Sequence, residues 1–460
     1  MSTAPRTKDE SSLVAAPNSK LTLAFLLTTV FLDLLGYGII IPVLPELITD
    51  LTGGSVANAA LIGGWLVFAY AFTQFIFSPV LGNLSDRFGR RPVLLLALLG
   101  LVFDYTMMAL APVVWYLFIG RFVAGIAGAS VATATAYMAD VTPPEKRTQR
   151  FGLIGAAFGF GFIIGPVIGG ELGEFGPKAP FFAAAVLALG NFLFGLFVLP
   201  ESLPKSMRRP FSLRRANPFG AILALRSYPV VLWLMLALFL FTTAAQAFPS
   251  VYNYFTIEVF DFSSSQIGRT LGLFGIVFAA VQALVVGPLV KRFTEIPVVV
   301  GGMLSATVAF VGIAFVQQVE LIYVYIFIGA LSGLAAPAIS GVLSRQVPAN
   351  SQGELQGAVN AANSLATMIG PLAATSVFAF FTDRGNPVIY FPGAPFIGAA
   401  TLTVAAAVLF AIVALRFDLA HKPSVAAHPR APEVPPPGQV YVPPHDDVDA
   451  DAEPDADEPK

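Results

Sequence analysis

The sequence predicts an all-α polytopic membrane protein whose twelve transmembrane helices form two six-helix halves. Hydrophobic residues make up 56% of the 460-residue chain and charged residues only 12%, about half the charged share of a soluble domain. Apolar windows of about 20 residues, enough for a helix to cross a hydrocarbon core of about 30 Å, recur from Leu21 to Leu415. A set of residues also repeats at one offset: Gly82, Leu84, Arg87, Phe88, Pro92, Gly152, Gly165 and Pro166 return as Gly287, Leu289, Arg292, Phe293, Pro297, Gly357, Gly370 and Pro371, always 205 positions later. A repeat of half the chain means two structurally equivalent halves.

The spans expected from these windows run from Leu21 to Val43, Ala60 to Val80, Pro92 to Ala111, Val113 to Met138, Phe151 to Leu172 and Pro180 to Leu199. The second six run from Val230 to Tyr252, Ile267 to Val290, Pro297 to Val316, Leu321 to Leu343, Leu355 to Phe381 and Pro395 to Leu415. Lys and Arg sort the loops into two sets. Arg87, Arg90, Arg91, Lys146, Arg147, Arg150, the stretch from Lys205 to Arg226, Lys291, Arg292 and Arg345 fall on one side, and only Lys178, Arg269 and Arg384 on the other. Positive loops stay in the cytoplasm, so both termini are expected there. The divisions that follow are a tail over 1–20, a half over 21–200, a cytoplasmic loop over 201–229, a half over 230–416, and a Pro-, Asp- and Ala-rich tail over 417–460 without the apolar periodicity a fold needs. The first twenty residues are polar and lack a short apolar stretch with a small-residue cleavage site, so no removable signal is expected there.

Composition also excludes. With 0 cysteines, disulfides, zinc-thiolate sites and iron-sulfur clusters are absent. A net charge of −2 with scattered basic residues argues against nucleic acid. The three histidines, His421, His428 and His445, all follow the last span, so neither a catalytic nor a metal-ligating role is assigned to any residue.

The sharpest local pattern is the loop from Gly82 to Arg91, Gly-Asn-Leu-Ser-Asp-Arg-Phe-Gly-Arg-Arg, between spans two and three. Gly82 and Gly89 permit tight turns at the membrane surface, and Asp86, beside Arg87 and Arg90, is expected to meet a helix N-terminus or a neighbouring Arg and so gate one side. A plain positive-inside anchor is the alternative. In span five, Gly161, Gly165, Gly169 and Gly170 with Pro166 make a close-packing, bent helix, a packing seam as readily as a moving part. In span one, Gly36, Gly38, Pro42 and Pro45 are expected to break the helix end.

Charges inside apolar spans are costly and mark function by default. Asp33 and Asp104 lie about twelve residues, or roughly 18 Å, from the cytoplasmic ends of spans one and three, and Arg121 about eight residues, or roughly 12 Å, from the opposite end of span four. All three thus share one layer. One guanidinium cannot neutralise two carboxylates, so one acid is left to take up and release a proton; which acid pairs with Arg121 is open. The neutral amides Gln74, Gln246, Gln282, Asn360 and Asn363 are expected either to line a cavity or to bond between helices.

With these residues in view, the chain resembles the tetracycline:proton antiporters of the drug:proton antiporter group of the major facilitator superfamily, over roughly Leu21 to Leu415. The resemblance rests on Asp33-x-x-Gly36-x-Gly38-x-x-x-Pro42-x-x-Pro45, the Gly82–Arg91 loop, Asp104-Tyr105, Gly120-Arg121-x-x-x-Gly125, Ala139-Asp140, the Gly165-Pro166-x-x-Gly169-Gly170 pattern of antiporters, Pro180-Phe181-Phe182 and Glu201. It implies a proton-coupled exporter of tetracycline-like or other amphipathic drugs, a monomer in the bacterial inner membrane. Asp33, Asp104 and Arg121 would couple protons, Gly82, Asp86, Arg87, Gly89, Arg90, Gly165 and Pro166 would gate, and Gln74, Gln246, Phe278, Gln282, Asn360 and Asn363 would face substrate. It implies no cofactor, the proton gradient being the energy source and magnesium entering only within a drug chelate. The C-terminal half departs from the family: Phe278 stands where the best-known pumps have histidine, and the expected span nine lacks their acid.

Two other readings compete. A sugar or metabolite transporter would need more hydrogen-bonding groups than these Phe-, Ala- and Leu-rich spans supply. An intramembrane aspartyl enzyme using Asp33 and Asp104 would lack the Gly-x-Gly-Asp setting and leave the repeat unexplained.

Overall fold

Within a bilayer core each backbone polar group must find its partner inside the protein, so an apolar segment of this length folds as a helix. The computed structural model describes residues 19–128, 130–211, 228–385 and 389–419. All belong to one compact unit, Met1–Lys422. Residues 1–18, 212–227 of the connecting loop and 420–460 of the tail lie outside the described residues, as do the three histidines.

Twelve helical spans cross the described fold: Lys20–Thr52, Val56–Phe88, Arg90–Leu110, Val114–Val141, Gln149–Gly173 and Ala179–Val198, then Pro229–Phe260, Ser264–Phe293, Glu295–Ala314, Val319–Ser344, Gln352–Thr382 and Ala394–Arg416. Numbered in this order, each expected span is present and several run longer. Span 1 has 33 residues, roughly 50 Å at 1.5 Å per residue, which exceeds the hydrocarbon core. It ends at Gly53, whose φ of 63° is open to glycine, and Ser55 then caps span 2 by accepting from Asn58 N. Span 9 begins at Glu295, so it does carry an acid, held at its end by Arg345 at 2.7 Å.

The expected break in span 1 does not occur. The helix passes through Gly36, Gly38, Pro42 and Pro45 without interruption. Pro45 has no N–H for the carbonyl one turn back, that of Ile41, and Asn253 Nδ2 from span 7 donates to it instead at 2.7 Å. A donor from the other half thus replaces the missing backbone bond.

Irregular turns fall elsewhere. Span 4 is interrupted after Ala127, resuming as helix at Ser130, and span 7 is interrupted at Gln246. Span 8 has a π-turn over Val281–Val285 just before Pro288, and span 10 a 3-10 turn over Leu331–Leu334 just before Pro337. Each proline removes one N–H donor next to such a turn.

The halves meet along two seams, span 5 against span 8 and span 2 against span 11, which a six-span shift interchanges as the repeat requires. Close approach explains Gly161, Gly165, Gly169 and Gly170 of span 5. A Cβ at Gly165 would stand 2.6 Å from Leu35 O in span 1, while Gly170 lies against the backbone of Ser264 and Gly268 against that of Pro166. Span 5 is therefore wedged between span 1 of its own half and span 8 of the other.

Candidate functional site

These seams close one end of the inter-half space. At the end opposite the Arg-rich loops, Arg269 Nε of span 8 meets Glu171 Oε1 of span 5 at 2.7 Å. There Ser265 Oγ donates to the same carboxylate at 2.9 Å, Ser265 N to Glu174 Oε1 at 3.1 Å, and Ser264 Oγ to Pro42 O and Glu46 Oε2 at 3.2 Å. Toward the basic end, Gly155 and Gly159 of span 5 line the space between the halves with no atom packed against them. The space between the halves is thus shut at the far end and open at the basic end.

It is a cavity of about 770 Å³, within the range for a drug-sized ligand. Its walls differ. The N-terminal half contributes both charged groups, Asp33 and Arg121, with Tyr37, Tyr70, Gln74, Phe158 and Phe162 among its lining; the C-terminal half contributes Phe241, Phe248, Phe274, Phe278, Phe310 and Tyr325 with no charge, Gln246 and Gln282 being its amides. Phe248 and Phe274 pack at 4.6 Å between ring centroids and Phe274 and Phe278 at 5.5 Å, so the second wall carries a continuous aromatic strip.

The layer of charges is resolved by pairing. Arg121 Nε donates to Asp104 Oδ1 at 3.0 Å and its Nη2 meets Oδ2, with Asp104 fully buried. The guanidinium also lies over the Tyr70 ring at 5.4 Å, a cation–π contact. Asp33 forms no ion pair among the described residues; its Oδ2 accepts from Ser130 Oγ at 2.5 Å. Two acids at similar depth are thereby distinguished, one bound to the guanidinium and the other lining the cavity with only a hydroxyl for a partner.

The amides divide too. Gln74 lines the cavity and also donates to Gly128 O at 3.0 Å and to Tyr70 Oη at 3.2 Å, tying span 2 to the irregular turn of span 4. Gln246 reaches Thr367 Oγ1 of span 11 at 3.3 Å. Gln282 sits in the π-turn, against Gly333 together with Phe278. Asn360 and Asn363, expected at the wall, do not line the cavity; Thr367, one turn further along span 11, takes that place, Asn360 being exposed toward the basic end.

The Gly82–Arg91 loop is held within its own half. Asp86 pairs with Arg90 at 2.6 Å, and Arg90 also reaches Asp140 at 3.1 Å and Ser85 Oγ at 3.2 Å. The carboxylate at the helix N-terminus is not Asp86 but Glu201, which accepts from Arg90 N at 2.8 Å and Arg91 N at 3.3 Å at the start of span 3. Gly89, at φ 109°, makes the turn that aims those N–H groups. Arg87 stays exposed beside the Phe88 ring, and Gly82 faces open space.

Among the functional candidates that sequence alone did not single out are Ser130, Asn253, Tyr70, Thr367 and the Glu171–Arg269 pair. Ser130 is a polar residue inside span 4, a weak signal because Ser commonly bonds its own helix. Asn253 had a sharper one, since Pro45 leaves a carbonyl that some donor must meet.

Comparison with known proteins agrees with this architecture. The Major Facilitator Superfamily pattern matches residues 26–371 and 280–441. The chain is 42% identical over 373 residues to the class C tetracycline resistance protein of Escherichia coli, covering 81% of this chain and 93% of that one. It is 32% identical over 355 residues to multidrug resistance protein 2 of Bacillus subtilis, covering 75% and 86%. The crystal structure of the human organic anion transporter MFSD10 (TETRAN) superposes with a TM-score of 0.61 at 26% identity, over 86% of this chain and all of that one. The chain belongs to the Major Facilitator Superfamily and, within it, to the family of the tetracycline resistance proteins.

Proposed function

We propose that this protein is a proton-driven antiporter that exports tetracycline-like or other amphipathic drugs, and that it transports its substrate without chemical change and without a cofactor. The observation that carries the reading is Asp33, a carboxylate in the wall of a drug-sized cavity whose nearest guanidinium is already taken by Asp104. An acid free of a fixed counter-ion can exchange a proton within the transport cycle.

By the positive-inside rule the basic end is cytoplasmic, with both termini on that side of a bacterial inner membrane. This structure then represents the loading state. An amphipathic drug enters from the cytoplasm, rests its apolar face on the Phe248–Phe274–Phe278 strip and presents its polar or cationic edge to Asp33, Tyr70 and Gln74. Parting of the Glu171–Arg269 and Asn253–Ile41 contacts opens the far end. A proton from that side neutralises Asp33, weakens its hold on the drug, and lets the emptied carrier return. Asp104 and Arg121 keep the neighbouring helices in place, and the Gly82–Arg91 loop with Glu201 sets the orientation of spans 2 and 3 while span 5 moves against span 8.

The test is drug uptake into inverted membrane vesicles driven by an imposed pH gradient. Uptake of a fluorescent tetracycline that collapses with an uncoupler is the expected result. Uptake indifferent to the uncoupler sinks the proton coupling, and a susceptibility panel in a pump-deficient host without any amphipathic substrate sinks the drug reading.

A further inference from the structure

Asp33 faces two compartments. Besides the inter-half cavity it lines a much smaller chamber within the N-terminal half between spans 1, 3 and 6, with about 10 Å³ open to the centre of a water molecule, which is room for one. Most of that chamber is leucine and alanine; its polar lining is Thr29, Asp33, Tyr105 and Asn191. Asn191 is 4% exposed and Thr29 1%. Asn191 Nδ2 donates to Thr29 Oγ1 at 3.1 Å, while Asn191 Oδ1 is buried with no partner in the protein. An amide oxygen stranded in an apolar helix interface is costly, and a bound water is the usual remedy.

We propose that this chamber is a site for a single bound water, which donates to Asn191 Oδ1 and to the Asp33 carboxylate and accepts from Thr29 or Tyr105, making Asn191 a positioning residue for the coupling acid. Two donors and two acceptors on water match the groups present. The carboxylate is then held from both sides, by Ser130 toward span 4 and by water on the side that drug does not occupy. Asp33 keeps a hydrogen-bond partner whether the cavity is filled or empty. The positioning role rests on the proposed use of Asp33 in coupling; the water site itself does not.

The experiment separates the two. A map of the full chain in lipid, at a resolution that shows ordered water, is expected to carry one peak between Asn191 Oδ1 and Asp33. A well-ordered chamber without it, or Asn191 turned onto a protein partner, overturns the site. In vesicles, Asn191→Leu is expected to lower gradient-driven tetracycline uptake about ten-fold at equal membrane abundance, with drug-for-drug exchange, which needs no proton turnover, falling much less. Thr29→Val, which keeps the side-chain shape, should move uptake the same way by less. Wild-type uptake in both variants, or a joint fall in uptake, exchange and abundance, overturns the positioning role. A wild-type chain that takes up no tetracycline removes that role with the drug reading, and the map still decides the water site.

Discussion

Asp33 and Asp104 carry the same side chain at similar depth, and their partners separate their roles. Replacing Asp33 by Asn keeps shape but removes both the charge and the titrating group, so Asp33→Asn should hold a cationic drug less tightly and lose gradient-driven uptake; drug-evoked proton release at the wild-type level would take Asp33 out of the mechanism. Asp104→Asn should fail differently. It strands Arg121, 8% exposed, without a counter-charge, and breaking a buried pair in this way costs about 3–5 kcal/mol. The expected outcome is a lower melting temperature and less protein in the membrane, partly recovered in Asp104→Asn combined with Arg121→Gln. If Asp104→Asn is as abundant and as stable as the parent, the pair is not what holds spans 3 and 4. Counting residues along each helix put all three charges in one layer, but pairing depends on which faces of three helices turn toward each other, which no single helix records.

At the scale of elements, span 1 shows how proline is tolerated in a long helix. Ile41 O has a donor only while Asn253 of the other half is beside it. Asn253→Ala leaves that carbonyl unmet when the far end is shut, whereas water can reach it when the far end opens. The closed state should lose about 1–3 kcal/mol. Because the chain has no cysteine, spin labels at Asp50→Cys and Asp261→Cys, on opposite halves at the far end, can report the separation without background. A longer distance in Asn253→Ala is expected. Adding Pro45→Ala restores a backbone donor within span 1 and should bring the distribution back; no change in either variant would mean that the contact is incidental to closure. The loop between spans 2 and 3 teaches a related lesson. Of its two glycines only Gly89 makes a turn, Gly82 lying within the helix of span 2, and Asp86 meets Arg90 at the start of span 3, while the carboxylate at that helix N-terminus is Glu201, over a hundred positions away.

For the molecule as a whole, the cavity has its charged groups, Asp33 and Arg121, on the N-terminal half and most of its phenylalanines on the C-terminal half. Burying an apolar substituent against the second gains about 25 cal/mol per Å², while an uncompensated polar group there costs more. Among tetracyclines ranked by partition coefficient, the lipophilic members should show the larger rise in inhibitory concentration when this chain is expressed. A preference for the hydrophilic end would refute the assignment of the Phe248–Phe274–Phe278 strip to substrate. The same two-sidedness makes the glycine seam of span 5 informative: Gly165 and Gly170 sit at backbone contacts with span 1 and span 8 respectively. A Gly268→Val change, which pushes a branched side chain into Pro166, should impair closure of the far end more than it impairs insertion, read as label separation against membrane abundance; equal losses in both would make the seam purely structural.

The number of spans, the twofold division, and the depth of Asp33, Asp104 and Arg121 followed from the sequence alone, because hydrophobic length and helical rise act one segment at a time. The 205-residue repeat likewise gave two equivalent halves, and the two seams between them are related by the same six-span shift. Tertiary structure decided the rest: that Arg121 takes Asp104 and leaves Asp33 to Ser130, that Asn253 completes a helix it does not belong to, that Thr367 and not Asn360 or Asn363 reaches the cavity. Each of these is set by the rotation of one helix about its axis relative to another. That rotation comes from side-chain packing between segments far apart in the chain, which hydropathy and spacing within a segment do not encode.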